Sequence, residues 1–216
     1  MYIKKDAESL RVIAGIQTYS QAHQDLFVRV MLDFKEHGFY CEIGGSEPKQ
    51  SNNTYILERD LGWSGVSLEI DPDLVTQFNQ HRHNQCLLED ATKFDYGKYF
   101  RGHRFPSQID YLSCDIDPAE ITYQALERLP FSNYRFSVIT FEHDLYASGP
   151  DIMIKSRRFL EDLGYFRVVS NVLCCGRDFE DWWVDPAIVP KTRFEPFISS
   201  KIECADIFSN WISNEK

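Results

Sequence analysis

Two stretches carry acids where an open α/β sheet does chemistry. Gly38-Phe39-Tyr40-Cys41-Glu42-Ile43-Gly44-Gly45-Ser46 reads as an apolar strand running into an acid and paired glycines, and Gly65-Val66-Ser67-Leu68-Glu69-Ile70-Asp71-Pro72 as a second apolar strand ending in an acid. A strand that delivers its C-terminal end to a glycine turn is where such sheets bind cofactors. An acid at the end of the next strand sits where they grip ribose hydroxyls. Together the two predict a nucleoside site. Spaced glycines and a helix N-terminus would receive a pyrophosphate, but this turn continues Ser46-Glu47-Pro48 with Glu42 just before it. Two carboxylates and a proline without an N–H are poor partners for phosphates. They suit S-adenosyl-L-methionine, which carries no phosphate and presents a sulfonium and an ammonium. A glycine pair alone is common in tight turns, so the second acidic strand end is what favours a site.

Acids recur at later strand ends. Glu89-Asp90-Ala91 follows a strand at 85–88, Asp115-Ile116-Asp117-Pro118 follows one at 109–114, and Glu142-His143-Asp144 follows one at 135–141. His143 has the side chain whose ordinary pKa lies nearest neutrality, so it is the expected general base, with Asp115 and Glu142 at the reacting centre. A hydrogen-bonded structural histidine is the equal alternative. Asp115, Asp117 and Asp144 could instead hold Mg²⁺, which accepts carboxylate oxygens and acidifies a bound hydroxyl; acids at strand ends also simply cap helices. Asp115-Ile116-Asp117 further matches the D-x-D of a metal-dependent glycosyltransferase, a short motif that leaves Glu42 to Gly45 unexplained. A third reading is a non-catalytic binding protein that keeps the fold without turnover.

The elements that must position these residues follow from periodicity. Leu26, Phe27, Val30, Met31 and Phe34 lie on one face of a helix opened near Ser20 and closed by Gly38, and its polar start through Gln24 and Asp25 is either a solvated first turn or a pocket lining. Ser51-Asn52-Asn53-Thr54 caps a helix that stops at Gly62, and Asp71-Pro72 and Asp117-Pro118 each pair an N-cap with a first-turn proline. A helix at 151–163 leads to a strand at 165–169. The segment Phe179 to Pro186 reads as a seventh, edge strand, since proline would stop a central one. Strand and helix alternate, which predicts a Rossmann-like α/β fold with a mostly parallel seven-stranded sheet and helices on both faces. Residues 1–19 form an arm, 20–190 the domain, and 191–216 a packing segment with Ile202, Ala205, Ile207, Phe208 and Trp211.

Thirty-three acidic residues against twenty-three basic give a net charge of -10 over 216 residues, which argues against nucleic acid as a partner because that binding needs clustered Lys and Arg. The basic clusters His81-Arg82-His83, Arg101-Gly102-His103-Arg104 and Lys155-Ser156-Arg157-Arg158 read first as solvated faces, second as holds for an anionic group. No apolar run reaches the ~20 residues of a membrane span. Six cysteines without metal-type spacing suit a reducing compartment, so a soluble cytoplasmic protein is expected.

With Ser20-Gln21, Gln24-Asp25, Gly38-Phe39-Tyr40, Glu42-Ile43-Gly44, Ser51 to Thr54, Leu57-Glu58, Gly62 to Gly65, Leu68-Glu69, Asp110 to Asp117 and Glu142-His143-Asp144 in that order, the sequence resembles the FkbM family of S-adenosylmethionine-dependent methyltransferases. The resemblance spans Ser20 to about Asp185. It implies a class I methyltransferase sheet of order 3-2-1-4-5, which sets Cys41 and Cys114 on neighbouring strands, and O-methylation of a sugar or other natural-product hydroxyl. It further implies that Glu42, Gly44 and Ser46 hold the methionine end, with Gly45, Asn53 and Thr54 around them. Glu69 would take the ribose, Asp90 and Ala91 the adenine edge, and Asp115 would lie beside the methyl. The sequence departs from the family at Gly45, where alanine is common, and at Pro118, where glycine usually follows the acids.

Overall fold

The computed structural model describes residues 11–13 and 16–209. The rest of the expected arm, and Trp211, lie outside the described residues. Within the arm, β1 (Arg11–Ile13) and β2 (Ile16–Thr18) pair antiparallel as a separate two-stranded sheet.

The chain then runs α1 (Gln24–Met31), β3 (Phe39–Ile43), α2 (Tyr55–Leu61), β4 (Ser64–Glu69), α3 (Pro72–His81), β5 (Gln85–Leu88), α4 (Tyr96–Gly102) and β6 (Gln108–Cys114). It continues through α5 (Ala119–Arg128), β7 (Arg135–Glu142), α6 (Leu145–Ser148), α7 (Pro150–Asp162), β8 (Phe166–Cys174), β9 (Arg177–Val184), α8 (Lys191–Phe194) and β10 (Ser199–Glu203). The main sheet has eight strands, in the order β10-β8-β9-β7-β6-β3-β4-β5. β3 to β7 run parallel, and β9 is antiparallel to both its neighbours. The run β5-β4-β3-β6-β7 is the expected order 3-2-1-4-5. Ile43 pairs with Cys114 and Cys41 with Leu112, so the two cysteines do sit on adjoining strands, both buried.

Four expectations are corrected. The 179–186 segment is an interior strand, because β9 ends at Val184 and Pro186 never has to donate to a ladder. The sheet also continues past residue 190, since β10 adds to β8 as an eighth strand. α1 begins at Gln24 with His23 as its left-handed N-cap and ends at Met31 with Leu32 as its C-cap, followed by Asp33 and Phe34 at positive φ, so neither Ser20 nor Gly38 bounds it. Pro118, one residue later than expected, is the N-cap of α5.

Two apolar layers cover the sheet. Leu26, Phe27, Tyr40, Ile56, Trp182 and Phe208 form one, under α1 and α2. Cys41, Ile43, Phe100, Leu126, Ile139 and Trp183 form the other, under α4, α5 and α7. Trp182 and Trp183, adjacent on β9, alternate into opposite layers as strand geometry requires, and both are fully buried.

Candidate active site

The parallel strands deliver their acids to one carboxyl edge, and the edge is tied together by backbone. The N–H groups of Gly44 and Gly45 both donate to the Leu68 carbonyl, at 3.0 and 2.9 Å, and Asp115 N–H donates to the Ile43 carbonyl at 2.9 Å. Gly44 has φ of 92°, and a Cβ there would collide with the Asp115 carbonyl oxygen. The glycine is therefore demanded by chain meeting chain, independently of any ligand.

Glu69 is held by three main-chain donors. Ser46 N–H reaches Oε2 at 2.9 Å, while Ile70 and Asp71 N–H reach Oε1 at 2.7 and 3.0 Å. A carboxylate offers about four acceptor positions, so the clamp fixes its direction and leaves about one for a ligand hydroxyl. Beside it stand Ile70, 68% exposed, and Leu88, 53% exposed, whose strands pair Glu69 with Leu88. The sequence reading passed over both. Their signal was position alone: apolar residues at the same strand ends as the acids.

Glu42 is buried in a polar network. Its Oε2 accepts from Thr54 Oγ1 at 3.1 Å and Ser67 Oγ at 2.5 Å. Burial pushes its carboxyl up to about 7, even though Arg82, Ser67 and Thr54 act in the opposite sense. Arg82, read first as a solvated residue, is the hub. It pairs with Glu58 at 2.8 Å and donates to the Pro48 carbonyl, Asn52 Oδ1 and Thr54 Oγ1, each at 3.0 Å. Asn52, which also donates to the Gly45 carbonyl at 3.0 Å, belongs to the same network and was treated only as part of a cap. Asn53 departs from this pattern. Its Nδ2 donates to Ser113 Oγ on β6 at 2.9 Å, but its buried Oδ1 has no partner.

Asp90 is occupied locally. It accepts from Thr92 N–H at 3.0 Å and Thr92 Oγ1 at 2.6 Å, and meets Lys93 Nζ at 2.7 Å. Lys93 and Thr92 hold its carboxyl down to about 2. Ala91 is buried, and its carbonyl accepts from Tyr96 Oη at 3.0 Å.

The ends of β6, β7 and β9 gather the remaining acids. Glu42 pairs in register with Ser113, Ser113 with Thr140, Thr140 with Trp182 and Glu142 with Glu180, so strand alternation puts all of these on the α1 face. Phe27 of α1 packs on Trp182 at 4.7 Å, which fixes the face. Burial, then the Asp115 carboxylate beside it, drives the Glu142 carboxyl well above the usual range. Burial, then Asp117 and Asp115, push Asp144 up to about 7. Glu180, fully buried, is also raised by burial, despite a 2.6 Å hydrogen bond from Trp182 Nε1.

His143 lies on the opposite face. It is wholly buried, its Nδ1 accepts from Leu145 N–H at 3.3 Å, and its Nε2 lies 3.4 Å from Asp181 Oδ1. Arg157, another residue of a supposed solvated cluster, holds Asp181 at 2.7 and 2.9 Å. Burial would raise the Asp181 carboxyl, but bonds from His143 and Arg157 bring it down to about 2. With Nδ1 accepting and Nε2 facing a carboxylate, the ring has no lone pair turned to the acid cluster. The ring is thus set toward Asp181 and away from Glu142. Asp25 is likewise spoken for, its carboxylate accepting from Tyr19 N–H at 2.7 Å and Ser20 Oγ at 2.8 Å.

No family model matches this chain, and no curated protein matches it in sequence. Among solved structures it is similar to a proposed rRNA methylase from Clostridium thermocellum, at 12% identity over 77% of this chain and 96% of that one, with a TM-score of 0.52. It is similar also to a human methyltransferase 10 domain containing protein, at 10% identity over 78% and 83% of the two chains, again with a TM-score of 0.52. The fold is that of the methyltransferases.

In a methyltransferase fold the edge just described is where an open sheet takes its ligand. The residues fit a cofactor without phosphate: a clamped acid, exposed apolar cover beside it and a buried acceptor awaiting a donor. Among the described residues no group of three or more His, Cys, Asp or Glu side chains is arranged to hold a cation, although Asp117 and Asp115 do lie close enough to Asp144 to raise its carboxyl. Among the same residues no helix is long and apolar enough to cross a membrane.

Proposed function

We propose that this chain is an S-adenosyl-L-methionine-dependent methyltransferase that methylates a hydroxyl of a small carbohydrate or other natural product, as its FkbM resemblance implies. The observation that carries the reading is Asn53 Oδ1, a buried acceptor without a donor at the carboxyl edge. An unsatisfied buried polar atom costs ~1–3 kcal/mol, and a cofactor ammonium would satisfy it. Glu69 takes one ribose hydroxyl, and Ile70 with Leu88 gives the base an apolar seat. Gly44, Gly45 and Ser46 shape the turn beneath, with Ala91 at the far edge. Glu42 and Thr54 act through the Arg82 network, which sets the turn, and Asp90 acts through the turn it caps. When bound, the cofactor supplies a methyl made electrophilic by its sulfonium.

The proton of the acceptor hydroxyl goes to the Asp115–Glu142 pair. Burial and the neighbouring Asp115 raise the Glu142 carboxyl well above its usual range, as suits a group that takes up a proton. Alignment of the acceptor supplies the larger share of the rate. The glycosyltransferase reading keeps only a D-x-D whose acids form no metal group. A net charge of -10 disfavours an RNA acceptor. Methyl-labelled cofactor offered with a panel of sugars and with RNA tests the reading. Label should enter the sugars, and label entering RNA alone would reject it.

A further inference from the structure

The basic run Lys155-Ser156-Arg157-Arg158 divides on α7. Arg157 turns inward to Asp181 at 2.7 Å, while Lys155 and Arg158 face outward beside Ile154, which is 51% exposed. These outward residues border a groove of about 530 Å³ between α5 and α7. Its walls include two half-buried rings, Tyr123 of α5 and Phe159 of α7, set edge to face at 6.3 Å. An exposed isoleucine beside an aromatic groove makes an apolar ridge next to an apolar furrow, the shape by which helix surfaces pack on one another.

The charges around the groove point to its occupant. Lys155 and Arg158 stand with Glu127 and Asp162, two cations and two anions, all exposed. Among the described residues none of the four enters an ion pair; the pairs that α7 makes are Arg157 with Asp181 and Glu161 with Arg167, at 2.7 and 3.3 Å. A chain of net charge -10 repels its own copies over most of its surface, yet this face is balanced. Its charges are also ordered. Lys155 and Asp162 lie two helical turns apart with Arg158 and Phe159 midway, so two antiparallel copies of α7 crossing there set each Lys155 against the Asp162 of the other copy. A patch that matches itself under a two-fold rotation is what an isologous dimer requires.

We infer that α5 and α7 form the face on which two copies of this chain associate, α7 antiparallel to α7 about a two-fold axis near Arg158. Ile154 of each copy enters the groove of the other, beside Tyr123 and Phe159. Lys155 pairs with Asp162 across the axis, and Arg158 with Glu127 at the rim. Because α5 follows the end of β6, its N-terminus abuts the carboxyl edge while Tyr123 and Glu127 lie farther along it. The edge therefore stays open in the dimer, and the inference stands independently of the proposed methyl transfer.

Sedimentation equilibrium of the full chain tests this. The wild type should be a dimer at about 100 μM protein, and Ile154→Asp should leave only monomer at the same concentration. Lys155→Glu and Asp162→Lys should each weaken self-association about 10-fold or more, because like charges then face one another across the axis. An equimolar mixture of those two variants should recover the dimer, since each introduced charge meets its opposite on the other chain. Recovery in the mixture also excludes misfolding as the cause of the single losses. A wild type that stays monomeric at that concentration, single reversals that leave the dimer intact, or a mixture that fails to recover it would each overturn the inference.

Discussion

Arg82 and Glu58 meet at 2.8 Å with side chains only 1% and 6% exposed. The pair joins the end of α3 to α2, and through Asn52, Thr54 and Glu42 it reaches the glycine turn. Removing one partner of a buried ion pair leaves the other charged and uncompensated, at a cost of ~3–5 kcal/mol. Arg82→Met should therefore lose that much stability in urea denaturation. A wild-type midpoint for Arg82→Met would mean that the network does not hold the turn.

His143 is expected to matter for stability and not for chemistry. His143→Gln removes contacts with Leu145 and Asp181 and should cost ~1–3 kcal/mol. The pH profile of methyl transfer should keep its wild-type shape in the folded variant. A fully stable His143→Gln with its activity abolished would return His143 to the role of base.

Legibility in the sequence divided along physical lines. The succession of strands and helices was readable because acids close apolar strands and a glycine or Asp-Pro opens the next element, as Asp71 does by accepting from Asp73 N–H at 2.8 Å, whereas the order of strands in the sheet came from the family resemblance. What a residue faces was not readable. Glu142 and His143 are neighbours in sequence, yet alternation sends one to the acid cluster and the other to Asp181, a difference that an ordinary pKa cannot show. Arg82 and Arg157 sat in basic runs whose members differ in helical or strand phase, and composition cannot separate a buried hub from a solvated face. β10 was missed because its five residues, two exposed and three half-buried, carry little alternation.

Two carboxyls make stability fall as pH rises. Glu42 and Asp144 are raised to about 7 in the folded protein from ordinary values of 4.5 and 3.8. The folded state thus binds more protons than the unfolded chain between roughly pH 4 and 7, and stability present at the lower end is lost as pH climbs through that window. Asp181, held at about 2, acts oppositely, and its contribution is lost only as pH falls below about 4. Urea denaturation from pH 4.5 to 8 should show the decline, flattened in Asp144→Asn. A steady rise over the same range would contradict the burial of these acids.

Adjacent glycines should behave differently. Gly44→Ala must accept φ of 92° and a clash with the Asp115 carbonyl, so loss of folding is expected and not merely loss of a ligand. At Gly45 a Cβ meets Cys86 Sγ at 3.1 Å and Ser67 Cβ at 3.3 Å, side chains that can shift, and Gly45→Ala should cost only about 1 kcal/mol. Circular dichroism melts of the two variants decide this. Similar melting temperatures would refute the backbone reason given for Gly44.

The central claim is that the clamped Glu69 and the unpartnered Asn53 receive a nucleoside cofactor that carries no phosphate. Calorimetric titration of the wild-type protein with S-adenosylhomocysteine, against a nucleotide-sugar with Mn²⁺ as the competitor, tests it most directly. One-to-one binding of S-adenosylhomocysteine, weakened about 10-fold or more by Glu69→Ala, with no heat from the nucleotide-sugar, is the predicted result. Binding of the nucleotide-sugar in place of S-adenosylhomocysteine would contradict it.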